Sequence, residues 1–269
     1  MERLEKILVW VLLAVVLVML GTVGFFCLRG GEASAVPEET VLMETAHFTE
    51  PAPEPVIPET TEVTEAAGPV RVACLGDSIT YGHGISSRSE NSYPARLGAL
   101  LGAAYTVENF GVPGATIQDS GDQPIRQAQA YGDCLAFDAD MVILMLGTND
   151  SKPDNWAGEE AFREALLAML GDLQAGENPP EIWLCTPSKA FYPWGKWGST
   201  TSFDIQPEVV DAIAEVVWEV AATEGCSCID IHRLTAENEQ WFKEDGVHPD
   251  KAGAAAIAEA VYAVLTEIP

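Results

Sequence analysis

The chain has 269 residues, of which 48% are hydrophobic and 8% aromatic, and this composition excludes a wholly disordered protein. Its 14 basic residues against 41 acidic ones give a formal net charge of −27. Without a basic stripe to neutralise phosphates, a nucleic-acid partner is not expected.

The first predicted element is an apolar segment from Ile7 to Leu28, which has 22 residues and no charge. As a helix it would be about 33 Å long, close to the roughly 30 Å of a bilayer core. Arg3 and Lys6 precede it, which favours a cytoplasmic N-terminus. Residues 1–30 are therefore predicted to be a membrane anchor that places the rest of the chain outside the cytoplasm. A cleaved signal peptide is the alternative, because Ala33-Ser34-Ala35 has the small residues of a cleavage site.

The second predicted region, residues 31–68, is an acidic linker. From Glu32 to Gly68 there are nine Glu, five Pro and no Lys or Arg. Charge repulsion and proline keep such a chain extended, and it has too little apolar surface to offset the entropy of ordering. The region is predicted to be a disordered spacer between the membrane and a folded domain.

Residues 69–269 are predicted to form that domain, because 201 residues are enough for one sizeable core. With 11 basic and 30 acidic residues its charge is −19, which disfavours anionic polymers as partners. Five cysteines lie here, and the odd number argues against a disulfide framework. Cys74 and Cys185 lie in apolar runs and are predicted to be core residues. The Cys226-Ser227-Cys228 sequence leaves a metal pair as an alternative, although no second Cys or His cluster supports it.

The domain alternates strand patterns with helix patterns. Strands are predicted at Val70–Leu75, Tyr105–Phe110, Met141–Leu146, Glu181–Thr186 and Cys228–Ile231. Helices are predicted at Tyr93–Leu101, Glu159–Gln174, Pro207–Glu224 and Lys251–Glu267, and the second has apolar residues at helical spacing: Phe162, Leu166, Leu167, Leu170 and Leu173. Nearly continuous apolar strands that alternate with helices predict a five-stranded parallel sheet covered on both faces. In such sheets, ligands bind at the carboxyl ends of the strands.

Four short segments follow predicted strands or precede a helix. Gly76-Asp77-Ser78-Ile79-Thr80 ends the first strand, Asn109-Phe110-Gly111-Val112-Pro113-Gly114 follows the second, and Gly147-Thr148-Asn149-Asp150 ends the third. Asp245-Gly246-Val247-His248-Pro249 precedes the last helix. Together, and in this order, they resemble the conserved blocks of the SGNH (GDSL-type) esterase and lipase superfamily over residues 70–269. The longer stretches GDSITYGHG and LGTNDSKPDNW look most like the bacterial carbohydrate O-acetylesterases of that superfamily.

The resemblance implies a flavodoxin-like three-layer α/β/α domain with a serine nucleophile, Ser78. His248 is then the general base, and Asp245 orients its imidazole and stabilises the imidazolium. The resemblance also implies an oxyanion hole formed by the N–H groups of Ser78 and a glycine together with the side-chain amide of Asn149. Gly114 is preferred to Gly111 for the glycine, because it begins a Gly-Ala-Thr segment similar to the family block.

Other polar residues near these segments are given lesser roles. Asp77 and Asp150 are interpreted as hydrogen-bond acceptors that structure loops. His83 either lines the pocket or lies in a flexible loop. His232 has no carboxylate at useful spacing and is interpreted as structural, and no metal or cofactor is required by this chemistry.

An aromatic segment follows the fourth strand, with two Trp, one Tyr and one Phe between Phe191 and Trp197. Since it leaves the carboxyl end of a strand, it is expected near Ser78. Trp194 or Trp197 is predicted to bind the apolar face of a sugar. The alternative is that these rings cover the base of their own loop.

The expected function is hydrolysis of a short acyl ester, with acetyl on a carbohydrate as the favoured substrate, and no protein partner is indicated. Two alternatives are a lipase or lysophospholipase and, from another class, a catalytically silent surface carbohydrate-binding module. The complete set of four segments argues against the silent module, because binding alone requires neither Asp245 nor His248.

Overall fold

A computed structural model describes residues 68–194 and 201–266 of the chain. The predicted anchor, the predicted linker except Gly68, and Trp197 lie outside these residues. Within the two described ranges, no helix combines the length and the hydropathy that crossing a bilayer requires.

The strands form one parallel sheet, as the sequence predicts. They are β1 (Val70–Gly76), β2 (Tyr105–Gly111), β3 (Met141–Met145), β4 (Glu181–Cys185) and β5 (Ser227–Ile229). Their order across the sheet is β2-β1-β3-β4-β5, and every neighbouring pair is parallel. Strand β2 therefore lies on one side of β1, and β3 lies on the other side. The carboxyl ends of β1 and β3 flank this switch point, where open α/β sheets bind their ligands.

Eight α-helices surround the sheet in the described part of the chain. They are α1 (Ser78–Tyr81), α2 (Arg88–Asn91), α3 (Tyr93–Leu101), α4 (Gln129–Ala136), α5 (Glu159–Leu173), α6 (Pro207–Glu224), α7 (Ile231–Ala236) and α8 (Lys251–Thr266). The sequence predicts the four longest, α3, α5, α6 and α8. The other four have eight residues or fewer, too few turns to show a helical period.

The two faces of the sheet carry separate hydrophobic cores. Residues Ala73 and Leu75 of β1 pack with α5 and α6, whereas Val72 and Cys74 of the same strand pack with α3 and α8. Strands β3 and β4 alternate in the same way, as the two-residue period of a strand requires. The result is a three-layer α/β/α arrangement.

The structure differs from the predicted core at two residues of α5, and the last strand is shorter than predicted. In α5, Leu167 is 36% exposed, and Met169 is buried although it was not among the predicted residues. The last strand ends at Ile229 rather than Ile231, because the Asp230 side chain accepts a hydrogen bond from the Arg233 N–H and starts α7. Cys74 and Cys185 are buried as predicted, and burial raises the pKa of both thiols, which keeps them protonated.

Candidate active site

Ser78 is the first residue of α1, directly after β1. The preceding Asp77 caps this short helix, because its Oδ1 accepts a hydrogen bond from the Ile79 N–H at 2.9 Å. Ser78 Oγ lies 3.0 Å from Nε2 of His248, which precedes α8. The two side chains are 170 residues apart in the chain and are brought together by the parallel sheet. This distance allows the imidazole to accept the serine proton.

Asp245 holds the other side of the imidazole. Its Oδ2 lies 2.9 Å from His248 Nδ1, and its Oδ1 accepts hydrogen bonds from the Val247 and His248 N–H groups at 2.8 and 2.9 Å. Partial burial alone would raise the pKa of Asp245, but these hydrogen bonds outweigh burial and lower it to about 2. The carboxylate is therefore ionised at neutral pH and can stabilise an imidazolium.

The three predicted oxyanion donors lie around the same switch point. Ser78 N–H and Gly114 N–H have no acceptor within residues 68–194 and 201–266. The Asn149 side chain is buried, and its amide donates one hydrogen bond to the Ala115 carbonyl at 3.2 Å. Its second amide proton has no acceptor in the same part of the chain. Each of these three donors near Ser78 has an N–H bond without an acceptor. Together they can stabilise a substrate oxygen that gains negative charge.

The two candidate glycines differ in their backbone contacts. The Gly111 N–H already donates to Asn109 Oδ1 at 2.9 Å, and a Cβ at Gly111 would lie 2.1 Å from the Tyr81 nitrogen. Gly111 is thus required for close packing against α1. Gly114 has a φ of +85°, which favours glycine, and its N–H remains available. The geometry supports the preference for Gly114.

Asp150 connects the loops after β2 and β3. Its carboxylate accepts hydrogen bonds from the Ile117 and Gln118 N–H groups at 2.9–3.1 Å. Burial raises the pKa of Asp150 to about 6, although these hydrogen bonds oppose the change. Burial likewise raises the pKa of Asp77 to about 6 against its own hydrogen bonds. Both carboxylates structure loops around the site, as their positions in the sequence predict.

His83 lines the site. Its ring centroid lies 4.7 Å from that of His248, and its carbonyl accepts a hydrogen bond from Lys243 Nζ. Burial, followed by the charges of His248 and Lys243, lowers the pKa of His83. These effects favour the neutral form of the imidazole, which lies next to the proposed general base.

Phe203 lies against His248, a position that the sequence does not indicate. Its ring lies edge-on to the His248 ring with the centroids 5.2 Å apart, yet 56% of Phe203 is exposed. The residue lies in an irregular loop before α6, where no periodicity or motif indicates a position near Ser78.

The aromatic residues of the segment after β4 have different surroundings. Phe191 packs against Phe242 with centroids 5.1 Å apart, so this ring helps to cover its own loop. Trp194 is 51% exposed, and its backbone N–H donates to the carbonyl of Glu244, the residue before Asp245. Trp194 is thus next to the loop that carries Asp245, and its predicted contact with a sugar stays a prediction.

His232 has a carboxylate partner that is distant in sequence. His232 Nε2 lies 2.8 Å from Oδ1 of Asp211 in α6, and Lys189 binds the same carboxylate. These contacts fasten the loop after β4 to α6 and α7, which agrees with a structural role. Within the described residues no three His, Cys, Asp or Glu side chains are grouped to hold a metal ion, and this includes the surroundings of Cys226 and Cys228.

Comparison with known proteins gives related sequences for the same region. The model of the GDSL-like lipase/acylhydrolase family matches residues 74–256. An acetylxylan esterase from Xylanibacter ruminicola is 39% identical over 214 residues, which cover 73% of this chain and 43% of that protein. The chain therefore spans less than half the length of this curated relative.

Solved structures share the fold. A carbohydrate acetylesterase from Sinorhizobium meliloti has a TM-score of 0.60 and 18% identity, covering 74% of this chain and 100% of that one. The native M. smegmatis aryl esterase has a TM-score of 0.61 and 19% identity, again covering 74% of this chain and 100% of that one. At these identities the likeness shows the fold alone.

Proposed function

Since the chain belongs to the GDSL-like lipase/acylhydrolase family, we propose that it is a serine esterase that removes short acyl groups, chiefly acetyl, from carbohydrate. The family match confirms the resemblance that the four sequence segments indicate. The observation that carries the proposed chemistry is the continuous series of hydrogen bonds from Ser78 through His248 to Asp245.

In the proposed first step, Ser78 Oγ attacks the ester carbonyl while its proton passes to His248 Nε2. The carbonyl oxygen becomes an oxyanion, which the N–H groups of Ser78 and Gly114 and the Asn149 amide stabilise. Asp245 stabilises the imidazolium that forms. The C–O bond to the alcohol then breaks, His248 returns the proton to the departing alkoxide, and the acyl group stays on Ser78.

In the second step, water replaces the alcohol. His248 takes a proton from this water, whose oxygen attacks the acyl carbon, and the same three donors hold the oxyanion. The bond to Ser78 Oγ breaks, the proton returns to Ser78, and the free carboxylic acid leaves. The site thus returns to its starting protonation state without a cofactor.

The acetylxylan esterase relative supports acetylated carbohydrate as the substrate class, and acetylated xylan is the first polymer to test. Acetate release from acetylated xylan, pectin and peptidoglycan, and from acetylated sialic acid, would identify the sugar. Nitrophenyl esters of increasing chain length provide the second assay, in which we expect a steep fall beyond acetate or propionate. Equal or faster hydrolysis of long-chain esters would instead identify a lipase-type enzyme.

We also propose that the catalytic domain acts outside the cytoplasm, attached through residues 1–30. The support is the uncharged apolar run from Ile7 to Leu28 and the acidic linker that follows it. In cells that express the full chain, the domain should stay in the membrane fraction after carbonate washing and be digested by protease added outside. Recovery in the wash as the full-length chain would contradict attachment, and recovery in the medium as a shortened chain would indicate a cleaved signal peptide.

A further inference from the structure

Phe203 is an exposed apolar side chain that lies against His248. Its ring meets the His248 ring edge-on, while His83 lies against His248 as well. More than half of Phe203 remains open to solvent. An apolar ring exposed to this extent beside the general base has a free surface for a ligand.

The backbone at Phe203 and Asp204 is in a strained conformation. Phe203 and Asp204 have φ values of +57° and +58°, in the left-handed region that bulky side chains rarely adopt. Residues in these conformations persist where the surrounding structure fixes them, and they are concentrated at functional sites.

The loop is anchored directly after Phe203, through Ile205 and Gln206. The Ile205 N–H donates to the Ser202 carbonyl at 3.1 Å, and Ile205 is buried in a small cluster with Val247. Gln206 donates through its side-chain amide to the Ser151 carbonyl at 2.7 Å, and through its N–H to Ser151 Oγ at 3.2 Å. Ser151 follows Asn149 and Asp150 directly. The loop is therefore fastened both to the segment that contains His248 and to the one that contains Asn149.

The proposed reaction defines which part of the ester lies near Phe203. The acyl carbonyl must lie against Ser78, Gly114 and Asn149, because these provide the oxyanion donors. His248 Nε2 must reach the departing alkoxide, so the alcohol part of the ester lies on the His248 side. A ring that packs against His248 borders the alcohol part rather than the acyl part.

We infer that Phe203 is the specificity-determining residue for the alcohol part of the substrate, and that it binds the apolar C–H face of the sugar that carries the acetyl group. The inference rests on the proposed function. An aromatic ring without a polar group is suited to the flat face of a sugar ring, while the hydroxyls remain in water. Phe203 thereby favours sugar esters over esters of small alcohols.

The test compares wild-type and Phe203→Ala enzymes on an acetylated xylo-oligosaccharide and on ethyl acetate, which has no ring to bind. We expect kcat/KM on the oligosaccharide to fall about tenfold, the size of one aromatic contact, with ethyl acetate changed less than twofold. The breakdown of a preformed acetyl-enzyme should be unchanged, because the sugar has already left. Phe203→Tyr should restore activity on the oligosaccharide. Trp218→Ala is the matched control, since Trp218 is a 52% exposed aromatic residue on α6.

Three results would overturn the inference: equal losses on both substrates, slower breakdown of the acetyl-enzyme, or no loss on either. The first two would mean that Phe203 acts through His248, and the third that the ring has no role in recognition. The proposed function fails separately, because wild-type enzyme that releases no acetate from any ester would refute it before the variants are compared. Melting temperatures of the variants identify losses that arise from unfolding.

Discussion

The side-chain amide of Asn149 donates a hydrogen bond to the carbonyl of Ala115, which links the loop after β3 to the loop after β2. The side chain is buried, and the backbone carbonyl of Asn149 accepts a hydrogen bond from the side-chain amide of Asn155. Both contacts fix the orientation of Asn149 before any substrate binds. A donor fixed in this way stabilises an oxyanion without reorganisation during the reaction.

Asn149→Ala should therefore lower kcat by roughly 100- to 1000-fold with a much smaller change in KM, because the donor acts mainly in the transition state. Steady-state kinetics on nitrophenyl acetate measure both constants. Asn178→Ala, at an exposed position remote from the switch point, is the control and should behave as wild type. An effect confined to KM would show that Asn149 only binds substrate.

Ser78→Ala should abolish ester hydrolysis and leave the fold intact, because alanine retains the helical backbone of α1 and the Asp77 cap. Acetate release measures the activity, and circular dichroism with a melting curve measures the fold. Ser89→Ala, at an exposed serine of α2, should retain full activity. Substantial hydrolysis by Ser78→Ala would refute the assignment of Ser78 as the nucleophile.

The pH dependence follows from the geometry of Asp245. Because its pKa is lowered to about 2, Asp245 stays ionised throughout the working range and does not contribute to the loss of activity above pH 4. Protonation of His248 removes the base, so activity should fall as the pH decreases. We expect kcat/KM to fall steadily as the pH is lowered, and Asp245→Asn to lose activity on the order of 10⁴-fold. Full activity well below pH 5 would contradict these roles.

The sequence predicts the elements that have a regular apolar period and the site residues that belong to recognisable motifs. Helices α3 and α6 begin and end where their apolar periodicity predicts, since each buries one regular face. The positions of Ser78, Asn149 and His248 follow from motifs at the ends of strands, because a parallel sheet brings these ends together.

Contacts that depend on irregular loops were not predictable in the same way. Phe203 reaches His248 through two left-handed residues, and no sequence pattern indicates that a phenylalanine and an aspartate adopt this conformation. The partner of His232 is Asp211, 21 residues away on another element, so spacing along the chain does not reveal it. Both contacts are set by tertiary packing around the loops after β4.

A further prediction concerns stability. Burial raises the pKa of Asp150 to about 6, whereas an unfolded Asp ionises near pH 3.9. Between these values the folded protein binds more protons, so this contribution to stability is present below about pH 3.9 and lost as the pH rises through 6. Asp150→Asn removes it, and the stability of wild type relative to this variant should decrease by roughly 2 kcal/mol between pH 4 and pH 7.

Urea unfolding of both proteins across this pH range measures the difference. Asp154→Asn, at an exposed position in the same loop region, should show no comparable pH dependence relative to wild type. If the stability of wild type relative to Asp150→Asn is constant with pH, Asp150 ionises as readily in the folded protein as in the unfolded chain, and the prediction is wrong. It is also wrong if the relative stability of wild type increases toward pH 7, since Asp150 then ionises more readily in the folded protein.

The last prediction concerns Trp194, which is exposed next to the loop that carries Asp245. Its neighbour Phe191 packs inward against Phe242, so the alternative that the segment covers itself applies to Phe191 and leaves the Trp194 ring for a ligand. If Trp194 binds a sugar beyond the acetylated one, Trp194→Ala should cost about 1–3 kcal/mol in kcat/KM on acetylated xylan. The same variant should retain its activity on nitrophenyl acetate, which is too small to reach a second sugar position. Comparison of acetylated xylo-oligosaccharides of increasing length gives the decisive measurement, because the loss should develop only above a minimum length. Equal losses on polymer and nitrophenyl acetate, or a lower melting temperature than wild type, would make Trp194 a structural residue of its loop.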